Sequence, residues 1–114
     1  LYMVVFDVAR PDDGHIAPKL KDKAPKNPKD FFQKVVLNIK RLYDAGLVHS
    51  DASAFNILNY NESPVFIDFS QCTTLDSSMA NEYFDRDIRN ICVFFRKIGL
   101  KVEEADVRKQ ITGK

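Results

Sequence analysis

The sequence predicts an α+β fold, in which a strand, a long helix, a β-hairpin and two further helices follow one another along 114 residues. Two observations carry this prediction. Apolar residues recur at helical spacing over 31–43 and 83–98, and two apolar runs flank a turn between them. Hydrophobic residues make up 45% and charged residues 29% of the chain, which is typical of a globular domain. The net charge of +1 gives no general attraction to nucleic acid.

The first element is a predicted buried strand, because residues 1–6 form one continuous apolar run. A domain rarely starts on an uncovered core strand, so we expect the chain to begin inside a longer protein. The stretch from Lys19 to Lys29, which overlaps the end of the connector over 8–28, holds five lysines, which indicate either a solvated loop or a contact to phosphates. These lysines are Lys19, Lys21, Lys23, Lys26 and Lys29.

The first helix is predicted over 29–45. Asn27 can cap its first turn, where Pro28 fits because its missing N–H has no helical partner. Gly46 is expected to end the helix in a left-handed conformation. Its apolar stripe is interpreted as core.

The predicted hairpin follows a short extended segment at 47–49 and a polar loop over 50–56. Its strands are expected at 57–58 and 65–69, around a turn over 59–64 that is rich in Asn, Ser and Pro. Residues 70–80 are expected to be irregular. Helices are predicted over 80–98 and 103–111, within a C-terminal helical region over 80–112.

Three polar residues beside these apolar runs form the candidate site. Asp51, Asn56 and Asp68 offer two carboxylates and an amide oxygen, which are hard ligands suited to Mg²⁺ and phosphate chemistry. Asp51 could orient a hydroxyl proton, while Asn56 and Asp68 would lie on adjacent strands of one hairpin. Taken singly, Asp51 is a loop aspartate, Asn56 a turn former and Asp68 a strand-end cap. The joint pattern favours a phosphotransfer site, with His49 as structural support.

Other site classes receive less support. Cys72 and Cys92 are far apart and, with two histidines, do not resemble a zinc site, and no disulfide scaffold is indicated. The chain contains no apolar run of about 18 residues, so no membrane span is expected.

The pattern resembles the RIO-type atypical serine/threonine protein kinases. Their catalytic loop reads His-x-Asp-x-Ser-x-x-Asn, as do His49, Asp51, Ser53 and Asn56. Residues 67–71, Ile-Asp-Phe-Ser-Gln, resemble the family's Ile-Asp-x-x-Gln element. Residues 83–95 resemble its next helix, and 17–22 resemble the connector of the first RIO subfamily.

The resemblance implies a kinase-like C-terminal lobe without an activation loop or peptide-docking helices. Its parts are a hinge at 1–7, a connector at 8–28, a helix at 29–45, the catalytic loop and metal hairpin at 47–71, and helices at 80–112. ATP and Mg²⁺ are the implied cofactors. Asp51 is the implied catalytic residue, with Asn56 and Asp68 binding metal. Asp68 is also a candidate phosphate acceptor in an ATPase reaction.

Further residues take implied roles. The backbone of the hinge, with Met3, Val5 and Asp7, would bind adenine, and Leu58 and Ile67 would form the floor of its pocket. Ser53 is a further implied nucleotide-binding residue. Asp87 would be a buried aspartate that holds the catalytic loop, or alternatively an exposed helix charge.

The sequence departs from the family at several positions. Ala52 and Ala54 stand where Leu and Glu are usual, Val5 replaces a common acidic residue, and residues 77–78 are Ser-Ser rather than His-Pro. The 114 residues include no glycine-rich phosphate loop, strand lysine or partner glutamate of a kinase small lobe, so we expect the N-terminal lobe to be absent from this chain. The 114 residues alone are therefore expected to bind ATP weakly and turn over little.

Family resemblance implies a pre-40S-type ribosomal particle, both RNA and protein, as partner. It also implies a cytoplasmic location, with shuttling to the nucleus left open. Two other functions compete: a small-molecule phosphotransferase of the aminoglycoside-kinase type, and a catalytically silent ribosome-associated binding module.

Overall fold

The computed structural model describes residues 17–113. The predicted hinge at 1–7, with Met3, Val5 and Asp7, lies outside these residues, as does the first part of the connector. The described chain is α+β, with three α-helices and two small antiparallel sheets. None of these helices is long and apolar enough to cross a membrane.

The first helix, α1, spans Pro28–Asp44, close to its predicted bounds. The Asn27 side chain accepts a hydrogen bond from the backbone N–H of Asp30 at 3.2 Å, which caps the first turn. Gly46 follows the helix with a φ of 82°. The buried stripe of α1 comprises Phe31, Phe32, Val35, Val36, Ile39 and Leu42.

The hairpin is longer and its turn tighter than predicted. Strand β1 is Leu47–Val48, β2 is Ile57–Tyr60 and β3 is Ser63–Phe66. The turn is only Asn61 and Glu62, which both have positive φ and suit the twist of a two-residue connection.

The prediction of a turn at 59–64 was wrong because Asn59 lies in β2, where it is almost fully buried. Burial of this amide is possible because both ends have partners. Its Nδ2 donates to the Lys23 carbonyl at 3.1 Å, and its Oδ1 accepts from the Glu62 N–H at 3.0 Å.

The second hairpin strand ends at Phe66 rather than at residue 69. Asp68 adopts a left-handed conformation with a φ of 58° and precedes a 3₁₀ helix at Phe69–Gln71. Strand β4, Thr73–Thr74, then pairs with β1, with Leu47 opposite Thr74. Residues 70–80 are thus not irregular throughout, and this pairing brings the end of α1 close to the chain beyond the hairpin.

The connector pairs with β2 through one antiparallel β-bridge, between Lys19 and Leu58. The Leu20 N–H donates to the Ile57 carbonyl and the Asn59 N–H donates to the Pro18 carbonyl, each at 2.8 Å. Leu20 is buried, so the connector contributes to the core. The five lysines of the connector region are all exposed.

Helix α2 spans Ala80–Lys97 and helix α3 spans Glu104–Thr112, each within a residue of the prediction. α2 lays an apolar face against α1, with Phe32 and Phe95 rings meeting edge to face at a centroid distance of 5.1 Å. The hairpin separates this main core from a smaller cluster of Ala17, Leu58 and Val65.

Candidate active site

The loop over 50–56 joins β1 to β2 and carries Asp51 and Asn56. Its backbone begins with Ser50, which is buried and has a φ of 75°, a conformation that costs a non-glycine residue free energy. Such a conformation persists only where the surroundings hold it. Helix α2 supplies that restraint.

Asp87 on α2 holds the loop through both carboxylate oxygens. Oδ2 accepts from the Ser50 N–H at 2.8 Å, and Oδ1 accepts from the Ala52 N–H at 3.0 Å. Asp87 is buried, so burial raises the pKa of its carboxyl, while the two N–H donors act in the opposite direction. The structure therefore places Asp87 inside the fold, not on an exposed face.

Two neighbours of Asp87 also hold the loop, and sequence reasoning missed both. Arg86 donates to the Ser50 carbonyl, and Asn90 Nδ2 donates to the Ala52 carbonyl at 3.4 Å. The spacing of Asp87 and Asn90, three residues apart on a helix, places them on one face and could have indicated a shared target. α2 thus binds the N–H and C=O groups of the loop together.

Asp51 and Asn56 are joined directly. Asn56 Nδ2 donates to the Asp51 carboxylate at 2.9 Å and to the Asp51 carbonyl at 3.0 Å. This arrangement holds one carboxylate oxygen of Asp51 and leaves Asn56 Oδ1 as the amide atom that can take a cation. Both residues are half-buried.

His49 connects the loop to the end of the hairpin. The Asp51 N–H donates to His49 Nδ1 at 3.1 Å, so Nδ1 carries the lone pair and Nε2 the proton. Nε2 then donates to the Ile67 carbonyl at 2.9 Å. The ring is buried against Phe66 and Phe69, at centroid distances of 5.9 and 4.8 Å.

These contacts close a ring of hydrogen bonds. The Ile67 N–H donates to the Asn56 carbonyl at 2.9 Å, Asn56 bonds Asp51, Asp51 bonds His49, and His49 bonds Ile67. Asp68 is the next residue along the chain from Ile67. The fold therefore brings Asp51 and Asn56 together. Asp68 follows directly after Ile67, the last residue of this network.

Asp68 is exposed and is held locally. Its Oδ1 accepts from the Ser70 hydroxyl at 2.6 Å and from the Ser70 N–H at 3.3 Å. These two bonds lower the pKa of Asp68, the hydroxyl contributing most, because they favour the ionised carboxylate. The carboxylate caps the 3₁₀ helix and still presents its other oxygen to solvent.

The donor set fits Mg²⁺ chemically. An ionised carboxylate on Asp68 and the amide oxygen of Asn56 are oxygen donors, and Mg²⁺ usually combines one or two such ligands with waters and substrate phosphates. Within residues 17–113, no cluster of three or more His, Cys, Asp or Glu could hold a metal ion. Two protein oxygen donors suit a metal that arrives with phosphates better than one held entirely by protein.

The remaining predicted residues lie around this network. Leu58 is buried in the smaller cluster with Ala17 and Val65, and Ile67 is half-buried against that cluster. Ile67 is therefore the more accessible of the two predicted adenine contacts. The Ser53 hydroxyl accepts from the Phe55 N–H at 3.2 Å and shapes the loop between Asp51 and Asn56.

Comparison with family models finds a match over residues 2–109 to the model described as RIO domain. The RIO-type serine/threonine-protein kinase Rio1 of Methanocaldococcus jannaschii is 42% identical over 86% of this chain and 34% of its own length. The protein of the same name from Thermoplasma acidophilum is 34% identical, over 86% of this chain and 51% of its own.

Solved structures give the same picture. The Rio2 kinase–ADP/Mg²⁺–phosphoaspartate complex from Chaetomium thermophilum superposes with a TM-score of 0.67 at 28% identity. The similarity covers 86% of this chain and 34% of that one. The chain thus spans only about a third to a half of the length of these similar proteins.

Proposed function

The chain belongs to the RIO domain family, and on this premise we propose that it carries the catalytic loop of an ATP-dependent phosphotransferase. Membership confirms the predicted resemblance, and the similarity to Rio2 kinase structures confirms the predicted kinase-like fold. The observation that carries the proposal is the ring of hydrogen bonds joining His49, Asp51, Asn56 and Ile67, because it orients the Asp51 carboxylate beside the Asn56 amide and ends one residue before Asp68.

Asp51 acts as the catalytic aspartate. Asn56 holds one of its carboxylate oxygens, so the carboxylate has a defined orientation before substrate arrives. Its free lone pairs accept a hydrogen bond from the attacking hydroxyl, align it and take its proton. Phosphoryl transfer needs mainly this positioning together with stabilisation of charge on the phosphate.

Asn56 and Asp68 would hold Mg²⁺ together with ATP. The ion would supply positive charge that stabilises the phosphate oxygens. An aspartate is ionised near neutral pH, and the Ser70 bonds, which lower the pKa of Asp68, further favour the ionised form that would bind the ion. ATP would contact Ser53, Leu58 and Ile67, with adenine on the backbone of the hinge around Met3, Val5 and Asp7.

The working reaction proposed here includes ATP hydrolysis. An Asp68 carboxylate oxygen attacks the γ-phosphorus of ATP, forming an acyl phosphate and releasing ADP, and water then cleaves the acyl phosphate. The exposed position of Asp68 supports access of both nucleotide and water. The similar Rio2 structure was solved as a phosphoaspartate complex, which is a property of that protein.

The 114 residues alone are proposed to turn over little ATP. The sequence contains only four glycines, all well separated, and therefore no glycine-rich phosphate loop. The proposed partner is a pre-40S-type ribosomal particle, in the cytoplasm, with shuttling to the nucleus as an open alternative. Exposed lysines of the connector are compatible with such a partner.

The decisive experiment measures ATP hydrolysis and transfer of labelled phosphate by the full-length protein that contains this chain. Asp51→Asn should lower transfer to a hydroxyl substrate by at least about a hundredfold, as expected for loss of acid–base positioning. Asp68→Asn should abolish labelling of the protein at this carboxylate and raise the Mg²⁺ concentration needed for half-maximal transfer. The proposal is wrong if both variants retain wild-type turnover. Asp106→Asn, an exposed acid on α3, is the matched control.

A further inference from the structure

A groove lies beside the loop that carries Asp51. It is formed by residues 53–55 of the loop and one exposed face of α2, and it encloses about 250 Å³. The loop residues that line it stand between Asp51 and Asn56 in sequence. A molecule bound in this groove would therefore contact the loop that carries the proposed catalytic carboxylate.

The groove exposes apolar surface at two positions. The side chains of Phe55 and Val93 are 58% and 52% exposed, and they are two of the four exposed large hydrophobic residues within 17–113. Both line the groove, together with the half-buried Ala54 and Phe94. Apolar residues gathered in one concave surface indicate a binding site more strongly than the same residues scattered singly.

The rim of the groove is positively charged. Arg89, Val93 and Lys97 recur every four residues on α2 and so share one face, which places a cation at each side of the apolar centre. No carboxylate lines the groove, and neither cation forms an ion pair with another residue of the described part. Lys21 Nζ adds a third cation 5.2 Å from the Phe55 ring centroid, although it also pairs with Asp22.

The shape and chemistry favour a polypeptide occupant. A volume of about 250 Å³ is below the range of about 300–1,000 Å³ that is usual for small-molecule sites. It suits one large apolar side chain, with acidic neighbours facing Arg89 and Lys97. The exposed Phe55 ring could stack on one base, but Val93 beside it is aliphatic and Phe94 is half-buried, so the groove lacks the row of open aromatic rings that suits a nucleic-acid strand.

We propose that this groove is a docking site for the acceptor segment of a protein substrate, in which a large apolar side chain is flanked by acidic residues. The inference rests on the proposed phosphotransferase function and specifies its substrate class. The apolar side chain fills the space between Phe55 and Val93, and the flanking carboxylates pair with Arg89 and Lys97. The acceptor hydroxyl, a few residues along the segment, then reaches Asp51.

The test uses the full-length protein and short serine peptides as probes. One peptide has a leucine flanked by glutamates, a second has lysines in place of the glutamates, and a third has alanine in place of the leucine. Transfer of labelled phosphate should favour the first peptide. Arg89→Glu and Lys97→Glu should each raise its KM about tenfold, since one charge-assisted contact is worth roughly that factor. Lys109→Glu, an exposed cation on α3 away from the groove, should leave KM unchanged.

The outcomes separate the two proposals. If Asp51→Asn and Asp68→Asn both transfer phosphate as fast as wild type, the phosphotransferase function itself fails. If Asp51→Asn is inactive but the charge reversals leave KM unchanged, only the docking site is wrong. A short oligouridine that inhibits wild type and no longer inhibits Arg89→Glu would identify the groove as a nucleic-acid site and overturn the polypeptide assignment.

Discussion

The two halves of the candidate site are held in different ways. The loop with Asp51 and Asn56 is attached to the core of the domain, because Asp87 accepts from two of its buried N–H groups. Asp68 is exposed and depends on Ser70, two residues away, for both of the hydrogen bonds to its Oδ1. One half is positioned by tertiary structure and the other by a local turn.

The pKa values of Asp87, which holds the loop, and of Asp68 are also shifted in opposite directions. Burial raises the pKa of Asp87, so the pH-dependent part of its contribution to folding is fully present below its ordinary pKa and is lost as pH rises through the raised value. The Ser70 bonds lower the pKa of Asp68, so its contribution is present above its ordinary pKa and is lost as pH falls through the lowered value. A rigid loop aligns the hydroxyl, while an exposed carboxylate stays accessible to a cation and phosphates.

The largest expected effect is removal of the restraint on the loop. Asp87→Ala leaves the buried N–H groups of Ser50 and Ala52 without an acceptor, so it should lower the free energy of unfolding by about 2–5 kcal/mol. Denaturant unfolding measures this change. Asp106→Ala, which removes an exposed carboxylate from α3, should change stability by less than about 0.5 kcal/mol. Equal effects of the two variants would contradict the anchoring role of Asp87.

An intermediate effect is expected where the two halves meet, at His49. His49→Phe keeps a ring against Phe66 and Phe69 but loses the bonds to the Asp51 N–H and the Ile67 carbonyl. The substitution should lower the free energy of unfolding by about 1–3 kcal/mol and speed hydrogen exchange at the Asp51 amide.

Two further variants at this position separate the two bonds. His49→Asn places an amide oxygen near the position of Nδ1, and His49→Gln places an amide nitrogen near that of Nε2. We expect slow exchange at the Asp51 amide to be retained only in His49→Asn. Retention of slow exchange in His49→Phe would show that the ring nitrogens do not join the two halves.

The smallest effect is expected at Ser70. Ser70→Ala removes the hydroxyl that bonds Asp68, so the pKa of Asp68 should rise towards its ordinary value, as measured by carboxyl NMR titration. The downward shift of the Asp68 pKa is smaller in this variant. The variant should therefore lose less stability than wild type on acidification. Exchange at the Ser50 and Ala52 amides should stay unchanged. A change there would mean that the two halves are more tightly coupled than their contacts indicate.

Local patterns in the sequence were sufficient for much of the fold. The three helices begin and end within a residue or so of their predicted positions, because their amphipathic stripes, the Asn27 cap and Gly46 are local features. The hairpin turn was placed wrongly because Asn59 reads as a turn former, whereas its burial depends on Lys23 and Glu62, which no local pattern shows.

The sequence by itself determined which groups could perform the chemistry, because the spacing of His49, Asp51, Asn56 and Asp68 can be read directly from it. Tertiary structure decided how they are held. The contacts of Asp87, Arg86 and Asn90 to the loop span more than thirty residues of chain, so they form only when α2 packs against β1 and its aromatic rings contact those of α1. The exposed groove along Arg89 and Val93 exists for the same reason, because it needs two distant segments brought side by side.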